Sequence, residues 1–431
     1  MFDASVRNAI LECIRNNSLT HDVFVPGKDP VPTSGKVIGK REMELMTEAV
    51  LDGWLTTGRF NDQFEAALSA FTGAQHVLTV NSGSSANLVA VSALTSSELG
   101  ERAVRPGDEI ITVAAGFPTT IAPIMQVGAI PVFVDVDCNT WNTDVPRLER
   151  ALSPKTKAVI LAHTLGIPFD AAAVSAFCRW HNLWLLEDCC DALGSEWEGR
   201  PVGSYGDMAT LSFYPAHHIT TGEGGAVLTN NAKLARLAAS FRDWGRHCHC
   251  RPGQDNACGR RFSGQYGELP EGYDHKYVYA HAGYNVKMTD LTAACGLAQM
   301  ERLPHFVEKR RENYAYLRDM LAACSCLLLP VLDGKARPSW FGFPITLAED
   351  APIARLELLK ALDARKIGSR LLFAGNAVRQ PFMRGKTFRV ADDLSNTDVL
   401  MDRGFWLGVW PGLTTVMLEY TTGKLLELLG E

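Results

Sequence analysis

The sequence contains no apolar run approaching the roughly 18 residues that a membrane-spanning helix requires. Met1 to Asn17 also lacks the basic start and continuous apolar core of a secretory signal. The reading is therefore a cytoplasmic protein with no membrane role. An excess of positive charge is missing too. With 42 basic and 48 acidic residues the net charge is −6, which gives no footprint for nucleic acid. Internal repeats and low-complexity tracts are absent, so solenoid and disordered architectures drop out. One absence is local: no lysine falls between Lys157 and Lys233, although that stretch is rich in histidine, cysteine and carboxylates.

What remains is an ordinary globular composition, 46% hydrophobic and 21% charged, in a chain of 431 residues. That length suits one large and one small domain. Residues 1–35 are polar and then punctuated by Pro26, Pro30 and Pro32, which predicts a short helix and then either an extended arm of the kind that wraps a partner subunit or a disordered tail. Helical patterns follow at 39–51 and 62–71. From there short Val/Ile/Leu runs at 76–80, 108–113, 131–136, 158–163, 183–187, 209–213 and 226–228 alternate with helical patterns. The alternation predicts a mostly parallel seven-stranded sheet with helices on both faces. Ligands of such sheets bind beyond the carboxyl ends of the strands. Four features fall at those ends: the Ser82-Gly83-Ser84-Ser85 turn, Phe117, Asp188 and the pair His217-His218. The turn opens a helix, whose first backbone N–H groups suit a phosphate. In isolation a plain strand-to-helix turn reads the same way.

Residues 211–230, LSFYPAHHITTGEGGAVLTN, read as a strand, a polar connection, a Gly-Glu-Gly-Gly turn and a second strand. This run, with motifs from Trp54 to about Leu303 and around 370–381 and 404–413, resembles the DegT/StrS-type sugar aminotransferase superfamily of pyridoxal-phosphate enzymes. The resemblance implies an α/β, aspartate-aminotransferase-like (fold type I) homodimer with a smaller C-terminal α+β domain. It implies that Gly83, Ser84 and Ser212 hold the cofactor phosphate and that Phe117 stacks on the pyridine ring. Asp188 would keep the ring nitrogen protonated, and Asn285 would reach the phosphate from the neighbouring subunit. Lys287 stands where many relatives have arginine. Most relatives carry a Schiff-base lysine three residues before the Thr-Thr pair, and here that position is His217. Histidine there is a mark of the sugar 3-dehydrases, which hold pyridoxamine phosphate without a covalent bond and act on nucleotide-linked 4-keto-6-deoxyhexoses. A histidine of ordinary pKa, about 6.5, is largely neutral at pH 7 and so a competent base, whereas lysine at about 10.4 is not. His218 reads as a hydrogen-bonded structural neighbour.

Of eleven cysteines, Cys13, Cys138, Cys178, Cys295, Cys324 and Cys326 lie among apolar residues and read as small hydrophobes. Cys189, Cys190, Cys248, Cys250 and Cys258 lie among glycine, arginine and acidic residues. In a reducing compartment such a group points to metal or catalysis. Four thiolates can bind zinc or an iron–sulfur cluster, and zinc favours paired Cys-x2–4-Cys knuckles that are absent here. The spacing runs Cys190, fifty-seven residues, Cys248, one residue, Cys250, seven residues, Cys258. With the surrounding 244–262 and 272–277 text, it resembles the iron–sulfur 3-dehydrases of CDP-4-keto-6-deoxyglucose. That implies a [2Fe-2S] cluster on Cys190, Cys248, Cys250 and Cys258, with Cys189 competing as first ligand. Electrons would come from an NADH-dependent flavin and iron–sulfur reductase, or from a ferredoxin or flavodoxin system. Arg246, Arg251, Arg260 and Arg261 ring this loop and either dock an acidic partner or are simply solvated.

The expected organisation is an arm (1–35), a large cofactor domain (36–310) with the iron–sulfur loop at 245–262, and a small domain (311–431). The expected activity is reductive C3 deoxygenation of a nucleotide-linked 4-keto-6-deoxyhexose in deoxysugar and lipopolysaccharide biosynthesis. Two rivals stand beside it: a cluster-free 3-dehydratase recharged by glutamate, and a non-catalytic sugar-binding scaffold.

Overall fold

A computed structural model of the protein describes residues 3–17 and 23–431. Seven strands lie within two residues of the predicted runs: β1 (His76–Val80), β2 (Glu109–Val113), β3 (Ile130–Val134), β4 (Thr156–Ala162), β5 (Trp184–Asp188), β6 (Met208–Ser212) and β7 (Gly225–Thr229). An eighth, β8 (Arg389–Val390), extends the edge, so the sheet is eight-stranded rather than seven-stranded, in the order β1-β7-β6-β5-β4-β2-β3-β8. Two residues carry no periodic signal. β8 is held instead by the Arg389–Glu109 ion pair at 2.7 Å and by the Ala391 N–H donating to the Phe133 carbonyl at 2.9 Å. Pairs from β6 to β8 are parallel, whereas β1–β7 and β7–β6 are antiparallel.

Every residue of β2, β5, β6 and β7 is buried, as expected for strands covered on both faces. One face packs against Phe64, Leu68, Val174, Phe177, Ala293 and Ala294 of three helices. The other packs against the helices Gly83–Ala93 and Ala232–Arg242 through Val89, Ala90, Leu234 and Leu237. The C-terminal part builds a four-stranded antiparallel sheet around Phe343, Ile345, Phe405 and Leu407, backed by the helices Arg355–Ala364 and Thr415–Leu429. The predicted boundary at 310 falls inside the helix Leu303–Leu321.

The end of the predicted arm meets the small domain of its own chain. Val31 pairs with Ile367, and the Trp410 indole donates to the Pro32 carbonyl at 3.0 Å, so residues 31–32 edge the small domain. The helix Ala4–Asn16 rests on Lys40–Asp52 through Arg7–Asp52 at 2.8 Å and Arg15–Glu44.

Gly225 shows how tightly the sheet meets the 82–83 turn. A Cβ there would stand 2.5 Å from the Ser82 carbonyl and 2.7 Å from the Gly83 nitrogen. Backbone cannot swing aside as a side-chain tip can, so Gly225→Ala should cost about 1–3 kcal/mol. A denaturation midpoint equal to that of the unsubstituted protein would contradict this packing.

Candidate active site

The carboxyl ends of β5 and β6 face the starts of two helices. Asp188 ends β5. Its Oδ2 accepts from the Asn87 amide at 2.8 Å and the Thr120 hydroxyl at 2.7 Å, and its Oδ1 accepts from the Cys190 N–H at 3.1 Å. Asn87 is itself fixed by the Thr210 hydroxyl at 2.7 Å. Asn87 lies one turn into the helix Gly83–Ala93, and Thr120 lies in the first turn of Pro118–Gln126, directly after Phe117. Both helix starts therefore orient one carboxylate.

The first of these helices is capped by Ser82, whose side chain accepts from the Ser85 N–H at 3.0 Å. A Cβ on Gly83 would overlap the Ser212 side chain and stand 3.0 Å from Cys190 Sγ, so only glycine lets the helix start meet β6 this closely. Ser84 donates to the Thr119 hydroxyl at 3.0 Å. Phe117 is half exposed, and its ring meets Phe373 edge-on at 5.4 Å. Phe373 in turn faces Phe341, which lies 5.0 Å from the His217 ring.

His217 Nδ1 lies 3.5 Å from Asp191 Oδ1 and has no hydrogen-bond partner, though it is buried. Burial, then the Arg310 charge, pushes His217 down to about 4. Burial, then Asp188, pushes Asp191 up to about 8. The distance alone suggests an ion pair. Both shifts oppose charge, so at neutral pH this is an uncharged acid beside an uncharged imidazole. Arg310 is fully buried and donates to the carbonyls of Ala216 and His217 at 3.3 and 2.9 Å, fixing the backbone that carries the imidazole. His218 is buried and hydrogen-bonded, with Nε2 2.8 Å from the Ser339 carbonyl. Asn285 does not join this group within one chain. It is exposed and accepts from Lys287 Nζ at 2.8 Å, and that ammonium sits 3.4 Å over the Trp244 ring.

The cysteines separate three to one. Cys248 Sγ, Cys258 Sγ and a His275 ring nitrogen all lie within 4.8 Å of one another, and the Cys250 N–H donates to Cys248 Sγ at 3.5 Å. Burial pushes the Cys248 thiol up to about 11. Burial also works upward on Cys250, but hydrogen bonds from Cys248 and Cys258 outweigh it and hold that thiol below its usual range. Cys190 is not in this group; it lies at Gly83 and Asp188, its thiol pushed far up by burial and by Asp188. Cys189 is buried against Gly203 and Glu187. Of the loop arginines, Arg251 pairs with Asp62, Arg261 with Asp274 at 3.1 Å, and Arg246 lies over Trp244. Much of the predicted basic surface is therefore occupied within the chain.

These residues fit a pyridoxal- or pyridoxamine-phosphate group. A helix start that a Cβ would close suits a phosphate, the oriented Asp188 suits a ring nitrogen, and His217 Nδ1 is buried without a hydrogen-bond partner. The three loop thiols fit part of a sulfur-ligated metal centre; Cys190 stands apart from them. Asp191, Asn87, Thr120, Arg310 and His275 escaped the sequence reading. Arg310 alone left a usable signal. It lies on the stripe Phe306, Val307, Arg310, Asn313, Tyr314 and Leu317, all buried, where a surface arginine does not belong.

The family model described as the DegT/DnrJ/EryC1/StrS aminotransferase family matches residues 36–425. The chain is 58% identical over 416 residues to the lipopolysaccharide biosynthesis protein RfbH of Salmonella typhimurium, covering 96% of this chain and 95% of that protein. It is 48% identical over 408 residues to dTDP-4-dehydro-2,6-dideoxy-D-glucose 3-dehydratase of Saccharopolyspora spinosa, covering 95% and 88%. Among solved structures, Escherichia coli GDP-4-keto-6-deoxy-D-mannose 3-dehydratase with bound hydrated PLP superposes with a TM-score of 0.82 at 26% identity, covering 91% of this chain and 98% of that one.

Because the His217 pKa is lower folded than unfolded, the unfolded chain binds more protons between about pH 6.5 and 4, and this residue's contribution to stability falls as pH drops through that window. The NMR signal of His217, assigned by its loss in His217→Asn, should not titrate between about pH 8 and 5.5. A midpoint near 6.5 would refute the buried neutral imidazole.

Proposed function

The chain belongs to the DegT/DnrJ/EryC1/StrS aminotransferase family, and from that premise we propose that it is a pyridoxamine-phosphate-dependent sugar 3-dehydrase. Its substrate in this reading is a nucleotide-linked 4-keto-6-deoxyhexose, with CDP as the nucleotide, and the outcome is reductive. The observation that carries the proposal is His217: an uncharged base at the tether position, in a stretch with no lysine to replace it. The relatives support the reaction class, since a 48% identical protein is a 3-dehydratase of a dTDP-linked 4-keto sugar.

When bound, the pyridoxamine phosphate supplies an amine that condenses with the C4 ketone and a ring that draws off electrons. The chain's own residues do the rest. Gly83, Ser84 and Ser212 receive the phosphate, Asp188 holds the ring-nitrogen proton, and Phe117 covers the ring face. His217 accepts a proton from the carbon bearing the amine and, once charged, returns one to the departing C3 hydroxyl. Arg310 and Asp191 are positioning residues: one fixes the His217 backbone, the other flanks its imidazole.

Breaking the C3–O bond releases water, and replacing oxygen by hydrogen consumes two electrons and two protons. A [2Fe-2S] cluster on Cys248, Cys250, Cys258 and Cys190 would pass those electrons singly, from an NADH-dependent flavin and iron–sulfur reductase or a ferredoxin or flavodoxin system. The working unit is a cytoplasmic homodimer in which Asn285 serves the neighbouring phosphate. The cluster-free reading keeps one observation in its favour: Cys190 is not among the ligand atoms that gather around Cys248 and Cys258. In that case glutamate recharges the cofactor, and the sugar loses its hydroxyl without net reduction by NADH.

Two measurements decide the matter. Anaerobically purified protein should be brown and carry about two iron atoms per chain, and Cys248→Ser should lose them; iron-free, colourless wild-type protein would leave the glutamate route. His217→Lys should abolish 3-dehydration, by at least about 100-fold given the usual worth of a general base, and should bind PLP covalently, as read by borohydride trapping. Retained 3-dehydration would remove His217 from the mechanism.

A further inference from the structure

His275 is almost fully buried inside the cysteine loop, and no step of the proposed reaction uses it. Its Nδ1 lies 3.6 Å from Cys258 Sγ, and its Nε2 lies 2.7 Å from His247 Nδ1. The Tyr266 ring stacks on its face, with centroids 5.1 Å apart and planes within 3°. The backbone at both histidines is anchored. The His275 N–H donates to the Arg261 carbonyl at 2.7 Å, and the His247 N–H donates to the Val278 carbonyl at 2.9 Å. Asp274 caps the turn by accepting from the Lys276 N–H at 3.0 Å and pairs with Arg261 at 3.1 Å. The two imidazoles and Cys258 therefore form a line with two contacts and a defined order.

We propose that His275 donates its Nδ1–H to the Cys258 sulfur when that sulfur is a cluster ligand, that His247 holds His275 in the required tautomer, and that this pair raises the reduction potential of the centre. The inference rests on the cluster reading given above. The tautomers follow from the chemistry of a ligating thiolate, which has no proton to give. His275 Nδ1 must then be the donor, and in a neutral ring Nε2 must accept. The only role left for His247 Nδ1 in a 2.7 Å contact is to donate. A hydrogen bond to a ligand sulfur offsets the extra negative charge of the one-electron-reduced cluster, which makes reduction easier. His275 and His247 are positioning residues in this role; they act through Cys258.

The test uses the full chain purified anaerobically, with iron content and the midpoint potential read by dithionite titration followed in visible absorbance and electron paramagnetic resonance. His275→Leu should keep its iron and show a more negative potential. His275→Asn, whose amide N–H replaces the Nδ1 donor, should return the potential toward wild type. His247→Leu should shift it in the same direction as His275→Leu, by less. Full iron with an unchanged potential in both leucine variants overturns this inference and leaves the cluster reading intact. Loss of iron from folded His275→Leu and His275→Asn overturns it differently, by making His275 a ligand. Wild-type protein that binds no iron overturns the cluster reading, and this inference with it.

Discussion

One buried guanidinium holds the site together. Arg310 has no exposed surface and no carboxylate within ion-pair distance among the described residues. Its charge is spread over four carbonyls: Ala216 and His217 on the polar connection after β6, and Trp340 and Phe341 at the entry to the small domain, at 2.9 to 3.3 Å. Burial pulls its pKa down to about 9, and Asp191 opposes that pull. The same seam continues outward. His218 contacts the Ser339 carbonyl, the Ser339 N–H donates to Ser195 at 2.7 Å, and the Phe341 N–H donates to the Leu165 carbonyl at 2.9 Å. Small domain, large domain and the segment bearing His217 thus share one set of backbone contacts, and the imidazole cannot move independently of them.

The layout of the sheet was legible because its strands are short, apolar and bounded by turn residues, so alternation alone located seven of eight. The missing one, β8, is two residues long and is placed by an arginine–glutamate pair, which leaves no trace in a hydrophobic pattern. At the site the same division holds. Gly83, Asp188 and Ser212 sit where strands end and helices begin, and position along the chain is what a sequence displays. Asn87, Thr120 and Asp191 matter only because separate elements converge on Asp188 and His217, and that convergence is tertiary. Where the arm's end settles is likewise a tertiary matter. Its prolines predict extension, but not that Val31 and Pro32 would find an edge on their own small domain.

The cysteines show the limit of spacing as evidence. Three of them lie on one loop, so their meeting is nearly local, and the fold delivers it. Cys190 belongs instead to the strand end that carries Asp188, beneath the Gly83 turn. Spacing treats the four as one motif, whereas the fold treats them as three plus one. The fourth thiol is placed by the cofactor floor, and a centre that uses it must be built where loop and floor meet.

The exchange of lysine for histidine at 217 looks drastic in sequence and is mild in physical terms. Burial first, and then the buried cation beside the position, disfavour positive charge there and hold histidine neutral. The same field would push a lysine toward its neutral amine, the form a carbonyl-binding residue needs. Arg310, the Asp188 donors and the Gly83 turn therefore serve either residue without rebuilding. What the exchange removes is the nucleophile; what it keeps is the proton acceptor. The loop of cysteines lies elsewhere, between the helix Ala232–Arg242 and Asn285, and its shape is set by its own contacts: His247, Tyr266, His275 and the Asp274–Arg261 pair. The loop thiols Cys248, Cys250 and Cys258 are thus built separately from the segment that carries His217, whereas Cys190 shares the strand end of Asp188.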